Sequence, residues 1–180
     1  MMTRDSLLRT LAGPVIALAL ASCADLVRPS AAVEAPGAAA LSASSGSTLL
    51  ECPIDVTRSD TATVGLSGGV LEVDGHRVVI PANTVLVPTR FSLIVPVSNY
   101  MEVWVRAGSE EHYQFSRPVS LTISYARCTR SNIEKQSLRI FHTDESSKAI
   151  LEDMGGTDDK TARTVTTTTD HLSGYTIGGN

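Results

Sequence analysis

The sequence predicts an all-β protein, an antiparallel β-sandwich of about eight or nine strands, preceded by a signal peptide and a disordered linker. Three observations lead to this fold class. Beyond residue 50, Val, Ile, Thr and Tyr become frequent, and turn residues recur about every eight to twelve positions. Apolar and polar residues alternate along several of these segments, as in strands with one buried face. No long stretch shows helical periodicity.

The chain of 180 residues begins with a segment that has the plan of an export signal. Arg4 and Arg9 give it a positive start, and an apolar run follows over residues 11–21. This run is too short to span a bilayer as a mature helix. Residues 20–23 then read Leu-Ala-Ser-Cys. The alternatives are a plain secretory signal that happens to end near a cysteine and a buried N-terminal helix.

This tetrapeptide, Leu20-Ala21-Ser22-Cys23, resembles the bacterial lipobox at every position. The resemblance implies that residues 1–22 are a lipoprotein signal peptide, removed by a peptidase that cuts before Cys23. It also implies a diacylglyceryl group on the Cys23 thiol and an acyl chain such as palmitate on its new amino group. Cysteine alone offers a thiolate for thioether formation, and two or three acyl chains anchor a protein stably.

The residue after the lipobox cysteine bears on sorting between the two membranes of the bacterial envelope. Asp at this position favours the inner membrane in some bacteria, whereas this chain has Ala24. The resemblance therefore implies delivery to the outer membrane rather than the inner membrane.

Residues 23–49 are predicted to form a lipid-anchored flexible linker. They are rich in Ala, Ser, Gly and Pro and show no apolar periodicity. A poorly formed Ala-rich helix over residues 31–43 is the alternative, which Pro36 and Gly37 weaken. The β-sandwich domain is predicted to occupy residues 50–180.

The clearest element within this domain is a hairpin. Residues 70–73 and 76–80 are β-prone, and Asp74-Gly75 between them is a preferred pair for a two-residue turn. The Gly- and Asp-rich residues 154–159 are predicted to form a turn. Further strands are predicted around residues 91–95, 101–106, 119–125, 138–141, 149–151, 163–168 and 174–177.

Four segments of the domain occur in an order that resembles the ZU-five domain of zonula occludens proteins, netrin receptors and ankyrins. They read Gly-Gly-Val-Leu at 68–71, Ile-Pro-Ala-Asn-Thr-Val at 80–85, Phe-Ser-Arg-Pro-Val-Ser-Leu at 115–121 and Asp-His-Leu-Ser-Gly-Tyr at 170–175. The resemblance covers roughly residues 66–178. It implies a β-sandwich that contacts a partner, and it implies no enzyme.

The segment at 80–85 departs from the family pattern, which usually has Pro-Gly-Ala where this chain has Ala82-Asn83-Thr84. Asn is the residue other than Gly that best tolerates a positive φ. We therefore expect Asn83 to preserve the turn.

The two remaining cysteines, Cys52 and Cys128, lie in the part of the chain that is predicted to be exported, where disulfides form. We predict a bond between them that fastens the start of the domain to its body. Closing a loop of about 75 residues contributes roughly 4–5 kcal/mol. Two free thiols are the alternative. No Cys-x-x-Cys or Cys/His spacing indicates zinc, so neither a metal nor a cofactor is predicted.

The strongest candidate for chemistry is His171-Leu172-Ser173. In some relatives of the ZU-five domain, a tripeptide of this kind cleaves itself, with the serine hydroxyl attacking the preceding carbonyl carbon and the histidine acting as base. The cut would fall between Leu172 and Ser173. The structural alternative is that His171 packs at a strand end and Ser173 bonds a turn. A Ser-His-Asp hydrolase using Asp170 is disfavoured, because neighbours on a strand point to opposite faces.

The other histidines, His76, His112 and His142, are isolated in the sequence and are predicted to be surface or edge residues. The acidic segments at 144–145 and 153–159 do not match a calcium-binding EF-hand loop. We predict that they are solvated turns.

The net charge of −4 is evidence against a nucleic-acid partner. Together these features predict a lipid-anchored protein of the bacterial cell envelope that acts as a non-catalytic binding or scaffold module. It would attach to the membrane through lipid on Cys23 and take a protein or glycan of the envelope as ligand. The alternative is a self-processing domain that cleaves itself between Leu172 and Ser173.

Overall fold

A computed structural model describes residues 46–110, 113–129 and 131–179. The predicted signal peptide, the predicted lipobox with Cys23 and the predicted linker up to residue 45 lie outside the described residues, as does His112. The described residues contain one short 3-10 helix, Ile133–Lys135, and no α-helix, so the predicted all-β fold class is confirmed. No helix in this part of the chain is long and apolar enough to cross a membrane.

Fourteen strand segments occur in the described residues, more than the eight or nine predicted, partly because three of them have only two or three residues. The strands are β1 (Thr48–Leu49), β2 (Glu51–Ile54), β3 (Arg58–Val64), β4 (Gly69–Val73), β5 (His76–Ile80), β6 (Thr89–Val95), β7 (Ser98–Tyr100), β8 (Glu102–Ala107), β9 (Gln114–Ser124), β10 (Leu138–Thr143), β11 (Ile150–Gly155), β12 (Thr157–Asp159), β13 (Thr164–His171) and β14 (Gly174–Gly179).

These strands form two large antiparallel sheets that pack against each other, as a β-sandwich requires. The larger sheet has the order β11-β10-β14-β8-β6-β3, with β1 paired to β14. The second has the order β12-β13-β9-β5-β4, and β2 and β7 form a separate pair. Because β1 begins at Thr48, the first paired residues come two positions before the predicted boundary at residue 50.

The alternating patterns predict the core correctly. Strands β6, β8 and β9 each bury every second residue between the sheets, while their intervening residues are more exposed or lie under other segments. The residues predicted to face inward are all fully buried: Phe91, Leu93, Val95, Met101, Val103, Val105, Val119, Leu121, Ile123 and Tyr125.

The predicted hairpin is formed by β4 and β5, with Val73 opposite His76. Asp74 and Gly75 both have positive φ, 53° and 83°, as a type I′ turn requires. Asn83 also has a positive φ of 61°, which confirms the expectation that it takes the place of a glycine.

The turn predicted for residues 154–159 is wrong, because β11 continues to Gly155 and Thr157–Asp159 forms β12. Gly155 at the end of β11 and Gly156 between the two strands both have positive φ. Asp158 is not a solvated turn residue: its carboxylate accepts hydrogen bonds from the Tyr125 hydroxyl at 2.8 Å and from the Leu138 backbone N–H at 3.0 Å. The Asp158 carboxylate therefore links β12 to other parts of the sandwich through these hydrogen bonds.

The predicted cysteine pair is present, with the Sγ atoms of Cys52 and Cys128 at 2.15 Å. Cys52 lies within β2, whereas Cys128 follows β9, and both are buried. The bond therefore connects the small β2–β7 pair to the end of the longest strand.

Candidate functional site

The tripeptide His171-Leu172-Ser173 forms the tight connection between β13 and β14. The Leu172 N–H donates to the carbonyl oxygen of Tyr113 at 2.9 Å, and the Ser173 carbonyl accepts from the Val105 N–H at 3.0 Å. Leu172 and Ser173 are both buried. The peptide bond that was predicted as a cleavage point is therefore held on both sides by backbone hydrogen bonds.

Side chains around this connection also hold the backbone carbonyl of His171 in place. The Tyr175 hydroxyl donates to the carbonyl oxygen of His171, and the Thr169 hydroxyl donates to the same oxygen at 3.0 Å. Tyr175 is fully buried, and burial raises the pKa of its phenol well above the usual value. The phenol therefore keeps its proton, and its donated bond, at any physiological pH.

The side chain within hydrogen-bond distance of the Ser173 hydroxyl is that of His142, which was predicted to be a surface or edge residue and is half-buried on a strand inside the larger sheet. Nε2 of His142 lies 2.8 Å from Oγ of Ser173. His142 belongs to β10 and stands opposite Tyr175 of the neighbouring β14, 31 residues before Ser173 in the chain. No local spacing could have indicated this pair, because strand pairing creates it.

The predicted base, His171, points Nδ1 toward acidic and hydroxyl groups on its own strand. Nδ1 lies 3.3 Å from Oδ1 of Asp170 and 3.4 Å from Oγ1 of Thr169. The hydrogen bond with His171 holds the pKa of the Asp170 carboxyl below its usual value. The other ring nitrogen, Nε2, is buried and has no hydrogen-bond partner.

A cluster of three residues, His142, Glu152 and His171, assembles beside Ser173. One ring nitrogen of each histidine and a carboxylate oxygen of Glu152 all lie within 4.8 Å of one another. The two imidazole rings have centroids 5.1 Å apart, and Glu152 stands opposite His142 in the β10–β11 pairing. We call these three residues the His-Glu cluster.

Two surface cavities meet at the His-Glu cluster. One, of about 340 Å³, is lined by His142, Ser173 and the loop after β10. The other, of about 320 Å³, is lined by Glu152 and His171 together with Asp170. The cluster is consequently reachable by a small solute from the surface.

The isolated histidines were predicted to lie at the surface or at edges, which is wrong for His76. Its ring is buried on β5, a strand inside the second sheet, and Nδ1 accepts a hydrogen bond from the Ser124 N–H at 3.2 Å. Burial lowers the pKa of His76 to about 4. This histidine is therefore a neutral structural residue.

A third and larger cavity, of about 560 Å³, lies beside the disulfide. Cys52 and Cys128 form part of its lining. The other lining residues are Glu51, Pro53, Asn99, Tyr100, Arg127 and Thr129. The cavity thus combines an aromatic ring with charged groups of both signs and an amide, and its volume falls in the range of small-ligand sites.

Fold and sites together define a disulfide-bonded β-sandwich with a polar cluster at one strand connection. No protein-family model matches the chain, and no curated protein matches it.

Proposed function

We propose that this chain is a lipid-anchored protein of the bacterial cell envelope, attached through Cys23, whose sandwich is a non-catalytic binding or scaffold module. The observation that carries the proposal is the buried Cys52–Cys128 disulfide, since such bonds persist in oxidising compartments outside the cytoplasm. The lipobox at residues 20–23 supplies the anchor, and Ala24 favours the outer membrane. Similarity to the ZU-five domain supports a role in contacts.

The cavity beside the disulfide is the best place for a ligand in this proposal. Tyr100 offers a flat apolar ring, while Glu51, Arg127 and Asn99 offer hydrogen-bonding groups around it. Such a mixture suits a peptide or a sugar chain, which presents both apolar and polar faces. A protein or a glycan of the envelope is therefore the proposed partner.

Replacing Cys23 by Ser tests the anchor. We expect the variant to lose incorporation of labelled palmitate completely and to move from the membrane fraction to the soluble fraction, since no other acyl attachment point remains. The matched control is Cys128→Ser, which also removes a cysteine but leaves the lipobox intact and should keep the label. A Cys23→Ser chain that is still labelled and membrane-bound would rule out the proposed anchor.

Photocrosslinking in whole cells tests the binding role. A photoreactive residue at position 99, on the cavity, should give a specific crosslinked product in whole cells, and one at exposed position 72 on β4 should not. Equal crosslinking from both positions, or from neither, would contradict a binding role for this cavity.

A second candidate function, self-processing, is favoured by one observation: the 2.8 Å distance between Nε2 of His142 and Oγ of Ser173. In this reaction His142 takes the serine proton while Oγ attacks the Leu172 carbonyl carbon. The peptide C–N bond then breaks, His142 returns the proton to the new amine, and an ester remains. Water hydrolyses that ester into a Leu172 carboxylate and a Ser173 hydroxyl.

Intact mass measured under denaturing conditions decides this second candidate. Self-processing predicts that residues 173–180 separate from the rest of the chain, and that Ser173→Ala and His142→Gln both abolish the separation. Ser146→Ala, a nearby serine in the loop after β10, is the matched control and should cleave normally. A single uncleaved species from wild-type envelopes excludes the candidate and leaves the non-catalytic proposal standing.

A further inference from the structure

We propose that His142, Glu152 and His171 form a binding site for one divalent transition-metal ion of the zinc type. This inference goes beyond the proposed function and does not depend on it. Two imidazoles and one carboxylate are a donor set that zinc takes in proteins, with a fourth position left for water or another ligand. Calcium and magnesium prefer sites made of oxygen ligands alone.

The distances are compatible with a single ion. The three ligand atoms lie within 4.8 Å of one another. Zinc–ligand distances are about 2.0–2.1 Å, so two ligand atoms on a tetrahedral zinc lie about 3.3 Å apart. The ligand atoms of the cluster would therefore have to approach one another by no more than about 1.5 Å. Glu152 is exposed and the two histidines are half-buried, so the carboxylate is the ligand with the most freedom to move.

The orientation of His171 supports the assignment independently. Its Nδ1 lies 3.3 Å from the Asp170 carboxylate, whereas Nε2 is buried without a partner. Metal-bound histidines usually donate their other ring N–H to a carboxylate or a carbonyl, which fixes the tautomer and leaves the ligating nitrogen with a lone pair. A buried nitrogen without a partner destabilises the fold, and a bound ion would remove that cost.

The scaffold holds the ligands on strands rather than on a flexible loop. His142 and Glu152 are directly opposite on β10 and β11, and His171 ends β13 in the other large sheet. The carbonyl of His171 is further held by hydrogen bonds from Tyr175 and Thr169. Ligands held this way are pre-organised, and the two adjoining cavities give the ion and a fourth ligand access.

Metal titration of the full-length chain, purified without a polyhistidine tag and treated with a chelator, tests the site. We expect one zinc ion per chain by elemental analysis after dialysis, and a higher melting temperature in zinc. A large excess of magnesium should not displace the ion. Cobalt should give the absorption spectrum of a four-coordinate site with nitrogen and oxygen ligands.

Single substitutions then assign the ligands. His142→Gln, His171→Gln and Glu152→Gln should each weaken zinc binding at least 100-fold, and Asp170→Asn should weaken it about 10–100-fold through His171. Glu72→Gln, at another exposed strand glutamate, is the matched control and should bind normally. Ser173→Ala removes the hydroxyl beside His142 and should change the affinity, but it should still take up one zinc ion per chain, which separates this site from self-processing.

Two results would overturn the proposal: fewer than about 0.2 zinc ions per wild-type chain at micromolar free zinc, or unchanged affinity in the His142, His171 and Glu152 variants. Circular dichroism of each metal-free variant, compared with metal-free wild type, checks the fold. If one histidine variant does not fold, the exposed Glu152→Gln variant still decides the outcome.

Discussion

Replacing Lys148 by Met is expected to lower the free energy of unfolding by about 3–5 kcal/mol, because it leaves the buried Glu102 carboxylate without its cation. Glu102 lies on β8 with only 2 % of its side chain exposed, and the Lys148 Nζ lies 2.8 Å from both of its carboxylate oxygens. For a domain of this size, the change corresponds to a melting temperature lower by about 10–20 °C.

The same ammonium group also holds a loop in place. Nζ of Lys148 donates to the Glu145 carbonyl at 2.6 Å, and it lies 5.8 Å from the centre of the Trp104 ring. Arg106 approaches the same ring and forms an ion pair with Glu145. Methionine matches the length of lysine and keeps much of the apolar packing, so the loss measured in urea reports the charge and its hydrogen bonds.

A double substitution separates this mechanism from a general loss of packing. Adding Glu102→Gln to Lys148→Met removes the unpaired buried charge, and we expect it to recover at least half of the lost stability. The matched control is Arg58→Met, which breaks a surface pair with Asp74 at 2.9 Å and should cost less than about 1 kcal/mol. If Lys148→Met costs no more than this control, the buried ion pair does not stabilise the fold more than a surface pair does.

The buried glutamate also shows where prediction from sequence stops. Alternation along β8 correctly predicts Met101, Val103 and Val105 in the core. It assigns Glu102 to the exposed face, yet the loop after β10 covers that face and supplies Lys148. A period-two pattern reports which side of a strand faces the core, and it contains no information about a distant loop that packs on the other side.

The hairpin and the disulfide were predictable for different reasons. Asp74 and Gly75 determine the β4–β5 turn through their own backbone preferences, so four or five neighbouring residues suffice. Cys52 and Cys128 were the two cysteines left once Cys23 was assigned to the predicted lipobox, and the predicted export favoured their pairing.

The His-Glu cluster could not be found in this way. His142 and Glu152 meet because β10 pairs with β11, and His171 joins them because β10 also pairs with β14, which follows His171 after two residues. The predicted serine base is His171, two residues from Ser173, whereas the structure brings His142 to the serine hydroxyl. Spacing along the chain indicates sites built on one element, and this cluster is built on three strands of two sheets.

Reduction of the Cys52–Cys128 disulfide is expected to lower the free energy of unfolding by about 4–5 kcal/mol. The bond closes a loop with a sequence separation of 76 residues, and the loss of loop-closure entropy in the unfolded chain accounts for this magnitude. Both cysteines are buried, and free thiols fit there as small apolar groups, so the native packing should survive reduction. Urea unfolding with and without a reductant measures the difference.

The dependence on urea gives a second signature of this mechanism. An unfolded chain without the crosslink is more expanded and exposes more surface, so the slope of stability against urea should increase on reduction. Cys52→Ala with Cys128→Ala should match the reduced wild type in slope and lose slightly more stability, because two buried sulfur atoms are removed. Cys23→Ser is the control, since it removes the third cysteine and leaves the loop closed.

A loss of stability of this size makes the folded state of the domain depend on the disulfide. Most domains have a net stability of about 5–15 kcal/mol, so 4–5 kcal/mol is a large share of the total. The sandwich should therefore be markedly less stable in a reducing compartment than in an oxidising one. Both cysteines also line the cavity of about 560 Å³ beside the disulfide, so reduction should weaken crosslinking from position 99 as well. If reduction changes stability by less than about 1 kcal/mol and leaves that crosslinking unchanged, the disulfide neither stabilises the fold nor shapes the site.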